Sequence, residues 1–308
     1  MREIGIMTRR IIKLYLRNPL SILFSFVYML MFLVLIHLFL GDYLAQGMAE
    51  VYAEVAGMNF SSMRWLVDST AMAGVLMINC ILIPLNVLTI LVEDSSTNKL
   101  DSFLASSISR SRLAAGYWLA PFLVGAVLNI LCLFISEGFI VMNGGKRLCP
   151  QAGIQMIGLI LVNTFSTTSI LSVTALLIQK AQIYSTFTGI MSAFVGFITG
   201  AFLPIGMLPA DIQKLFAFFP AHHGTTMMRE IMTKEALSAT FGSVADQTIK
   251  GRLMTAQEIK QTYAAENGII YIFENTRFTF PVMLTIVIGA GMVFFLISCM
   301  FMMKYRKK

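Results

Sequence analysis

Charged side chains are scarce in this sequence. Asp, Glu, Lys and Arg make up 13 % of the 308 residues, whereas a soluble domain carries roughly 25 %. Hydrophobic residues account for 57 %, and a single soluble core of this size cannot bury that much apolar surface. These proportions exclude an ordinary soluble domain and predict that lipid surrounds most of the chain.

Cysteines and catalytic motifs are also scarce. Three of the four cysteines lie within apolar runs and only Cys149 lies in a loop, so no disulfide framework is expected. The first apolar run lacks a small-residue cleavage site, so a cleaved signal peptide is not expected either. The only glycine–lysine step, Gly145-Lys146, lacks the spacing of a phosphate-binding loop. We therefore expect no enzyme activity, cofactor or metal site in this chain.

Six apolar stretches are long enough to cross a bilayer. A hydrocarbon core of about 30 Å requires about 20 apolar residues in a helix, and lipid forces each backbone polar group to pair within its segment. The sequence therefore predicts an all-α membrane protein. Its six transmembrane helices are expected at residues 20–40, 70–92, 117–142, 154–178, 183–203 and 280–303.

Basic residues concentrate in the segments that share a side with the N-terminus. The positive-inside rule therefore predicts a multi-pass cell (inner) membrane protein with both termini in the cytoplasm. This distribution explains the net charge of +7 without nucleic acid binding. Lys146 and Arg147 oppose the orientation because they fall in a short outer loop. The inner basic residues are Arg2, Arg9, Arg10, Lys13, Arg17, Lys99, Arg110, Arg112, Lys180, Lys304, Arg306, Lys307 and Lys308.

Residues 2–18 combine basic and apolar side chains at helical spacing. Apolar residues recur at helical spacing, with arginines and a lysine elsewhere around the helix. They are Ile4, Met7, Ile11, Leu14 and Tyr15. This pattern is typical of an amphipathic helix that lies on an anionic inner leaflet.

The inner loop, residues 93–116, contains a second amphipathic pattern. Leu100, Phe103 and Leu104 form one apolar face of a short helix within 98–105. Such a short helix is unstable alone and requires a contact surface. That surface is either a groove on a cytoplasmic partner or the lipid headgroups.

The segment after the fifth stretch is rich in proline. Pro204, Pro209 and Pro220 prevent a continuous helix, and the apolar residues between them are too few to span the bilayer. We expect a re-entrant hairpin over residues 204–231, either a buried outer cap or an outer gate. An outer insertion should follow at 232–279, with a helix that starts at a capping box formed by Thr255 and Glu258.

This order of elements resembles that of the ABC-2 type permeases, the membrane subunits of type V ABC exporters. Glu93 to Leu104, followed by Ser107, Ser111, Leu113 and Gly116, resembles the coupling-helix loop of that family. The glycine–proline–proline hairpin of the family is matched by Gly200, Phe202, Pro204, Leu208, Pro209, Pro220 and the Met228-Arg229 step.

The resemblance implies a partner ATPase and a second permease subunit. The inner loop would dock on a cytoplasmic ABC ATPase, which would bind the ATP and Mg²⁺ that this chain lacks. Two permease copies, identical or different, would enclose a substrate path between the second and fifth spans. The residues implied in ATPase coupling are Glu93, Asp94, Lys99, Leu100, Asp101, Phe103 and Leu104.

Small residues recur every four positions in the fifth span. Such tracks let helix backbones approach closely in lipid, so they indicate either a dimer contact or packing within one subunit. One track consists of Ser185, Gly189 and Ala193, and the other of Ser192, Gly196 and Gly200. In the second span, Asn79 and Asn86 share a face, where they either line a path or bond to neighbouring helices.

The sequence thus predicts the transmembrane subunit of an exporter for an amphiphilic, drug-like or peptidic substrate. Two other classes stay open. An ion-coupled secondary transporter would need charges or broken helices near the midplane, and the spans contain few of either. A membrane sensor or immunity protein would use only the outer insertion, to bind a ligand.

Overall fold

We describe the protein from a computed structural model. It describes residues 2–51, 59–105, 108–204, 206, 208–242, 247–249, 252–273 and 276–304. Ser107 of the inner loop and the basic residues Arg306, Lys307 and Lys308 lie outside these ranges.

The described chain is almost entirely helical, as predicted. Its helices are α1 (Arg2–Leu16), α2 (Pro19–Leu35), a π-helical segment (Ile36–Leu40), α3 (Gly41–Val51), α4 (Phe60–Ser96), α5 (Lys99–Leu104), α6 (Arg110–Met142), α7 (Pro150–Leu177), α8 (Ala181–Ile198), α9 (Ala210–Ala217), α10 (Pro220–Phe241), α11 (Ala256–Glu266) and α12 (Phe280–Lys304). Four short strands are β1 (Gln247–Ile249), β2 (Arg252–Met254), β3 (Ile272–Phe273) and β4 (Thr276–Arg277).

Five of these helices are long and apolar enough to cross a membrane, namely α4, α6, α7, α8 and α12. A sixth span is present if the bent pair of Met29–Phe39 and Gly41–Glu50 is counted as one. The all-α membrane fold predicted from the apolar runs is therefore confirmed.

The first predicted span, residues 20–40, ends in the π-helical segment. The helix Met29–Phe39 and the following helix Gly41–Glu50 meet at an angle of 49°. Residues 41–69, which connect the first two predicted spans, are partly helical, because α3 follows the bend and α4 begins at Phe60. Patterns of hydrophobicity record which residues prefer lipid, but they do not record where a helix bends.

Helix α4 is the centre of the bundle. In its most apolar stretch 83 % of the residues are buried, and it packs against α6, α7, α8 and α10. Its first turns lie beside the end of α6, where Asn143 donates a hydrogen bond to Asp68 over 2.9 Å. Its last turns lie beside the start of α6 and carry Asp94. We call the end of the bundle with Asp94 the Asp94 end and the other the Asn143 end.

A proline inside α4 is matched by a hydroxyl from α7. Pro84 has no N–H, so the carbonyl of Cys80, four residues earlier, loses its helical donor. The Thr167 hydroxyl of α7 donates to this carbonyl over 2.6 Å. A backbone acceptor that would otherwise be unpaired in the bundle interior is thereby satisfied.

The fifth predicted span ends earlier than expected. Helix α8 stops at Ile198, and the amides of Ala201 and Phe202 both donate to the carbonyl of Gly196. Gly200 has a φ of +69°, a left-handed conformation that glycine adopts at little cost. The chain therefore turns back at residues 199–203 instead of continuing the span to 203.

The segment predicted as a hairpin and an insertion is divided differently in the structure. Helix α9 is short, but α10 runs without interruption to Phe241, past the expected boundary at residue 231. Helix α11 begins at the capping box of Thr255 and Glu258, which is confirmed. The two antiparallel hairpins, β1–β2 and β3–β4, were not predicted. Their strands have only two or three residues, too few for an alternating pattern to be visible.

Candidate functional site

An ion pair at the Asp94 end joins α1 to α4. The guanidinium of Arg10 donates to both carboxylate oxygens of Asp94, over 2.7 and 2.9 Å. The Tyr117 hydroxyl, from α6, donates to the same carboxylate over 2.6 Å. Hydrogen bonding to Asp94 raises the pKa of Arg10 above its ordinary value, so this cation stays charged at physiological pH. Three helices are thus joined at one carboxylate.

The short helix α5 is attached to this ion pair. The Arg10 guanidinium lies 5.0 Å from the centre of the Phe103 ring, a cation–π contact. Leu100 is buried, with 1 % of its surface exposed, and α5 packs against α4. Arg10, Asp94, Phe103 and Tyr117 therefore form one cluster, which we call the Arg10 cluster.

The connection between α4 and α5 is short and turned. Thr97 ends α4, and its hydroxyl donates to the carbonyl of Glu93 over 2.7 Å. Asn98 then adopts a φ of 62°, a left-handed conformation that asparagine tolerates better than most residues. Together these two residues fold α5 back towards α4.

The residues predicted to couple to an ATPase differ in their exposure in the structure. Asp94 and Leu100 are buried within the subunit, and Phe103 lies under Arg10. Leu100 thus packs inside its own subunit, and the contact of the apolar face of α5 with a partner stays a prediction. Asp101, Phe103 and Leu104 are partly exposed, and the exposed members are Glu93 and Lys99.

Helix α1 packs closely against α6. The prediction that residues 2–18 lie on the inner leaflet did not include this contact. A Cβ at Gly116 would lie only 2.7 Å from the Cβ of Met7, so the two helices are in contact. Glu3 and Arg112 form an ion pair of 3.0 Å between the same helices. The buried face of α1 consists of Met7, Thr8, Ile11 and Tyr15.

Sequence reasoning missed three residues of this site: Arg10, Gly116 and Tyr117. Arg10 was counted only as an inner positive charge and Gly116 only as a match to the family loop. A signal was present in Asp94, because an acid next to an apolar span needs a cationic partner or water.

The small-residue tracks of α8 differ in exposure. Ser185, Gly189 and Ala193 are exposed, and a Cβ at Gly189 would meet no atom within 4 Å. In the second track Ser192 is exposed, but Gly196 and Gly200 are buried. A Cβ at Gly196 would collide with the Phe202 ring. The second track is thus used partly within the subunit, whereas the first presents an open face.

The two asparagines of α4 also differ. Asn79 is fully buried and donates to the Cys132 sulfur of α6 over 3.4 Å. It makes an interhelical contact within one subunit, which is one of the two alternatives that the sequence left open. Asn86 is partly exposed and lies on a partly exposed stripe with Thr89, Ile90 and Glu93. The stripe begins next to Leu85, whose carbonyl accepts a hydrogen bond from Tyr184 of α8.

The prolines predicted as an outer gate each mark a turn at the Asn143 end. Pro204 lies in the turn after α8, Pro209 precedes α9, and Pro220 is the first residue of α10. Proline suits a first helical position because its missing N–H has no helical acceptor there. The geometry shows a compact turn structure, and gating stays a prediction.

Arg229, from the Met228-Arg229 step, fastens this turn structure. Its side chain is 2 % exposed. The guanidinium donates to the carbonyls of Gly200, Ala201, Thr70 and Asn267, over 2.9 to 3.4 Å. Burial lowers the pKa of Arg229 to about 10, so it is charged at neutral pH. One cation thus ties the end of α8 to α4 and to the turn after α11.

The two adjacent histidines are packed among aromatic rings. His222 contacts Tyr271 at 4.9 Å between ring centres, and His223 stacks on Phe278 at 5.7 Å. Burial lowers the pKa of both histidines, so they are neutral at pH 7. Among the described residues, no group of three potential metal ligands is present.

The fold and these contacts define a class: a multi-pass α-helical membrane protein whose N-terminal helix is joined to its spans. A model of the ABC-2 type transporter family matches residues 2–233. The chain therefore belongs to the ABC-2 type transporter family and is a membrane permease of the ABC transporter type. Among curated proteins, none gives a significant match to the chain. The matched range includes the Arg10 cluster, α8 and Arg229.

Proposed function

We propose that this permease is the transmembrane subunit of an ATP-driven exporter, with α5 as the helix that receives force from a cytoplasmic ABC ATPase. The Arg10 cluster carries the proposal. It connects α5 to the end of α4, the start of α6 and α1, so a displacement of α5 would move three helices together.

The docking face is the exposed side of α5. Lys99 and Ser102 are exposed, whereas Leu100 is buried against the subunit. This division suits force transmission, since one side of the helix is held by the permease and the other is free to contact a partner. The partner ATPase binds and hydrolyses ATP with Mg²⁺.

A second permease copy packs on the open face of α8. Only 17 % of the most apolar stretch of α8 is buried, although its small residues are of the kind that pack helices in lipid. The partly exposed α4 stripe with Asn86 lies next to α8 at the Asp94 end. The substrate path would run along this seam, between α4 and α8.

The Asp94 end faces the cytoplasm in this proposal. Arg10, Lys99, Arg110 and Arg112 lie at this end, and the positive-inside rule places such a concentration in the cytoplasm. An amphiphilic, drug-like or peptidic substrate would then move outward towards the Asn143 end.

Affinity purification of the tagged chain from native membranes tests the partner. We expect recovery of a soluble ATPase with Walker motifs. Substitution Ser102→Trp places a bulky side chain on the exposed face of α5 and should abolish recovery. The control Leu177→Trp alters another exposed residue at the same end, the last of α7, and should leave recovery intact. Equal recovery with both variants, or no ATPase with the unmodified chain, would contradict the docking role.

A further inference from the structure

A cavity of about 740 Å³ opens at the Asn143 end of the subunit. It lies between the first turns of α7, the second half of α10, α11 and the start of α12. Its volume falls within the range of about 300–1,000 Å³ that is typical of ligand sites. Neither the Arg10 cluster nor the open face of α8 contributes to it.

The floor of this cavity is apolar. Side chains from α7, α10, α11 and α12 line it, among them Ala152, Ile231, Leu237, Phe241, Ala264 and Phe280. Such a surface favours the apolar part of a ligand.

Two pairs of glutamines face the cavity from opposite helices. Gln151 and Gln155 lie four residues apart on α7, and Gln257 and Gln261 lie four residues apart on α11. Residues at this spacing lie one above the other on the same helix face. Each side-chain amide offers both a donor and an acceptor.

The spacing of these glutamines matches an extended peptide backbone. Four residues of an α-helix rise about 6 Å, and two residues of an extended chain rise about 6.6 Å. Amide groups on the same side of an extended peptide therefore recur at almost the interval of each glutamine pair. A single sugar ring or a phosphate has no such repeat.

The charges at the rim also restrict the ligand. Glu230 is paired with Arg277 at 3.2 Å, and Lys260 donates to Ser238. Within the described residues, Lys234 and Glu235 have no ion-pair partner. The lining carries both signs of charge, with Lys234, Lys260 and Arg277 against Glu230 and Glu235. A zwitterion meets an opposite charge at each of its ends there, whereas a polyanion would also face two carboxylates.

We propose that this cavity binds a short amphiphilic peptide in an extended conformation. The glutamine pairs bond to its backbone amides, its apolar side chains occupy the floor, and its charged ends meet the cations and anions of the rim. This site goes beyond the proposed transport function, and only its outward-facing position rests on the proposed orientation.

The native thiol of Cys149 provides the readout. Cys149 lines the cavity and is exposed, whereas Cys80 and Cys132 are buried. The full chain with Cys299→Ser is placed in lipid nanodiscs, and the labelling rate of Cys149 by a membrane-impermeant maleimide is measured with and without trileucine. We expect trileucine to slow labelling in a saturable way, and glycerol 3-phosphate and maltose to have no effect.

Variants of the glutamine pairs distinguish a built site from a general apolar surface. Gln155→Leu and Gln261→Leu should each raise the trileucine concentration for half-protection about three- to tenfold, as expected for one lost amide contact. Gln182→Leu, at the other end of the chain's bundle, should leave it unchanged. Labelling without peptide should persist in every variant, which shows that Cys149 and its surroundings are retained.

Three results would overturn the proposal: no protection by trileucine, equal protection in the glutamine variants, or equal protection by glycerol 3-phosphate. Nanodiscs expose both faces and contain no ATPase, so none of these results depends on orientation or on transport. Labelling of Cys149 in intact cells tests the orientation separately.

Discussion

Arg10 and Asp94 form a two-pronged ion pair across 84 residues of sequence, with nitrogen–oxygen distances of 2.7 and 2.9 Å. The pair is partly shielded from water, since 28 % of the Arg10 side chain and 5 % of the Asp94 side chain are exposed. Paired hydrogen bonds of this kind fix orientation as well as distance. The amphipathic helix is therefore held to the end of the central span in one orientation.

Removal of the carboxylate charge should loosen this connection. Asp94→Asn retains the size of the side chain but leaves Arg10 without its counter-ion. We expect a loss of about 2 kcal/mol in stability, together with a strong reduction in substrate-stimulated ATP hydrolysis by the assembled transporter. Thermal unfolding in detergent and ATPase assays would measure the two effects.

An exposed acid outside this cluster provides the control for this variant. Glu50→Gln changes a carboxylate on α3 and should alter neither quantity. Combining Asp94→Asn with Arg10→Met should cost less than the sum of the two single changes, because the partners act as a unit. Additive losses would mean that the pair contributes nothing beyond its separate side chains.

The contact between α1 and α6 should be sensitive to side-chain size at Gly116. Gly116→Leu introduces atoms where the Cβ of Met7 lies 2.7 Å away, and we expect a loss of about 1–3 kcal/mol. Gly138→Leu, on the same helix, has no atom within 4 Å of the new Cβ. Its thermal unfolding should match that of the unmodified protein, and equal losses for both would argue against close packing of α1.

If a second copy packs on the open face of α8, a bulky side chain on that face should weaken the dimer. Gly189→Trp and Gly158→Trp both place an indole in open space on the monomer, on α8 and on α7 respectively. We expect only Gly189→Trp to reduce the dimer fraction, measured by native mass spectrometry or by cross-linking through Ser185→Cys. A dimer that tolerates Gly189→Trp would place the seam elsewhere.

Arg229 should be required for the turn structure at the Asn143 end. Arg229→Met removes the donor shared by four carbonyls, and we expect a loss of about 2–4 kcal/mol. Arg229→Lys should retain little of this stability, because the lysine ammonium lacks the planar, forked set of donors of arginine. Limited proteolysis of residues 199–209 is the measurement, with the exposed Arg277→Met as control. An unchanged digestion pattern would contradict the fastening role.

The hydroxyl of Thr167 should stabilise the protein only while Pro84 is present. Thr167→Val leaves the carbonyl of Cys80 without a donor and should cost about 1–3 kcal/mol. In a Pro84→Ala background the helix supplies its own N–H, so the added Thr167→Val should cost much less. Thermal unfolding of the two single variants and the double variant measures the difference; equal costs in both backgrounds would exclude this compensation.

Local sequence patterns predicted much of the fold but less of the site. Apolar runs located the spans, and the spacing of Leu100, Phe103 and Leu104 indicated a short helix that the structure has at Lys99–Leu104. The sequence could not show whether Leu100 packs against its own subunit or against a partner, because an apolar helix face has the same pattern in both cases. The true length of α10 was missed for a related reason: its interior contains buried polar residues such as Thr226 and Thr233, which hydropathy scores as exposed.

The sequence by itself determined that the chain is a helical membrane protein, because the length and polarity of each run decide its preferred solvent. Its motifs also indicated the ABC-2 family. Only the tertiary structure decided that Arg10 meets Asp94, that Arg229 fastens four carbonyls and that two glutamine pairs share one cavity. These are contacts between helices, and they depend on how helices cross and rotate, which no local pattern records.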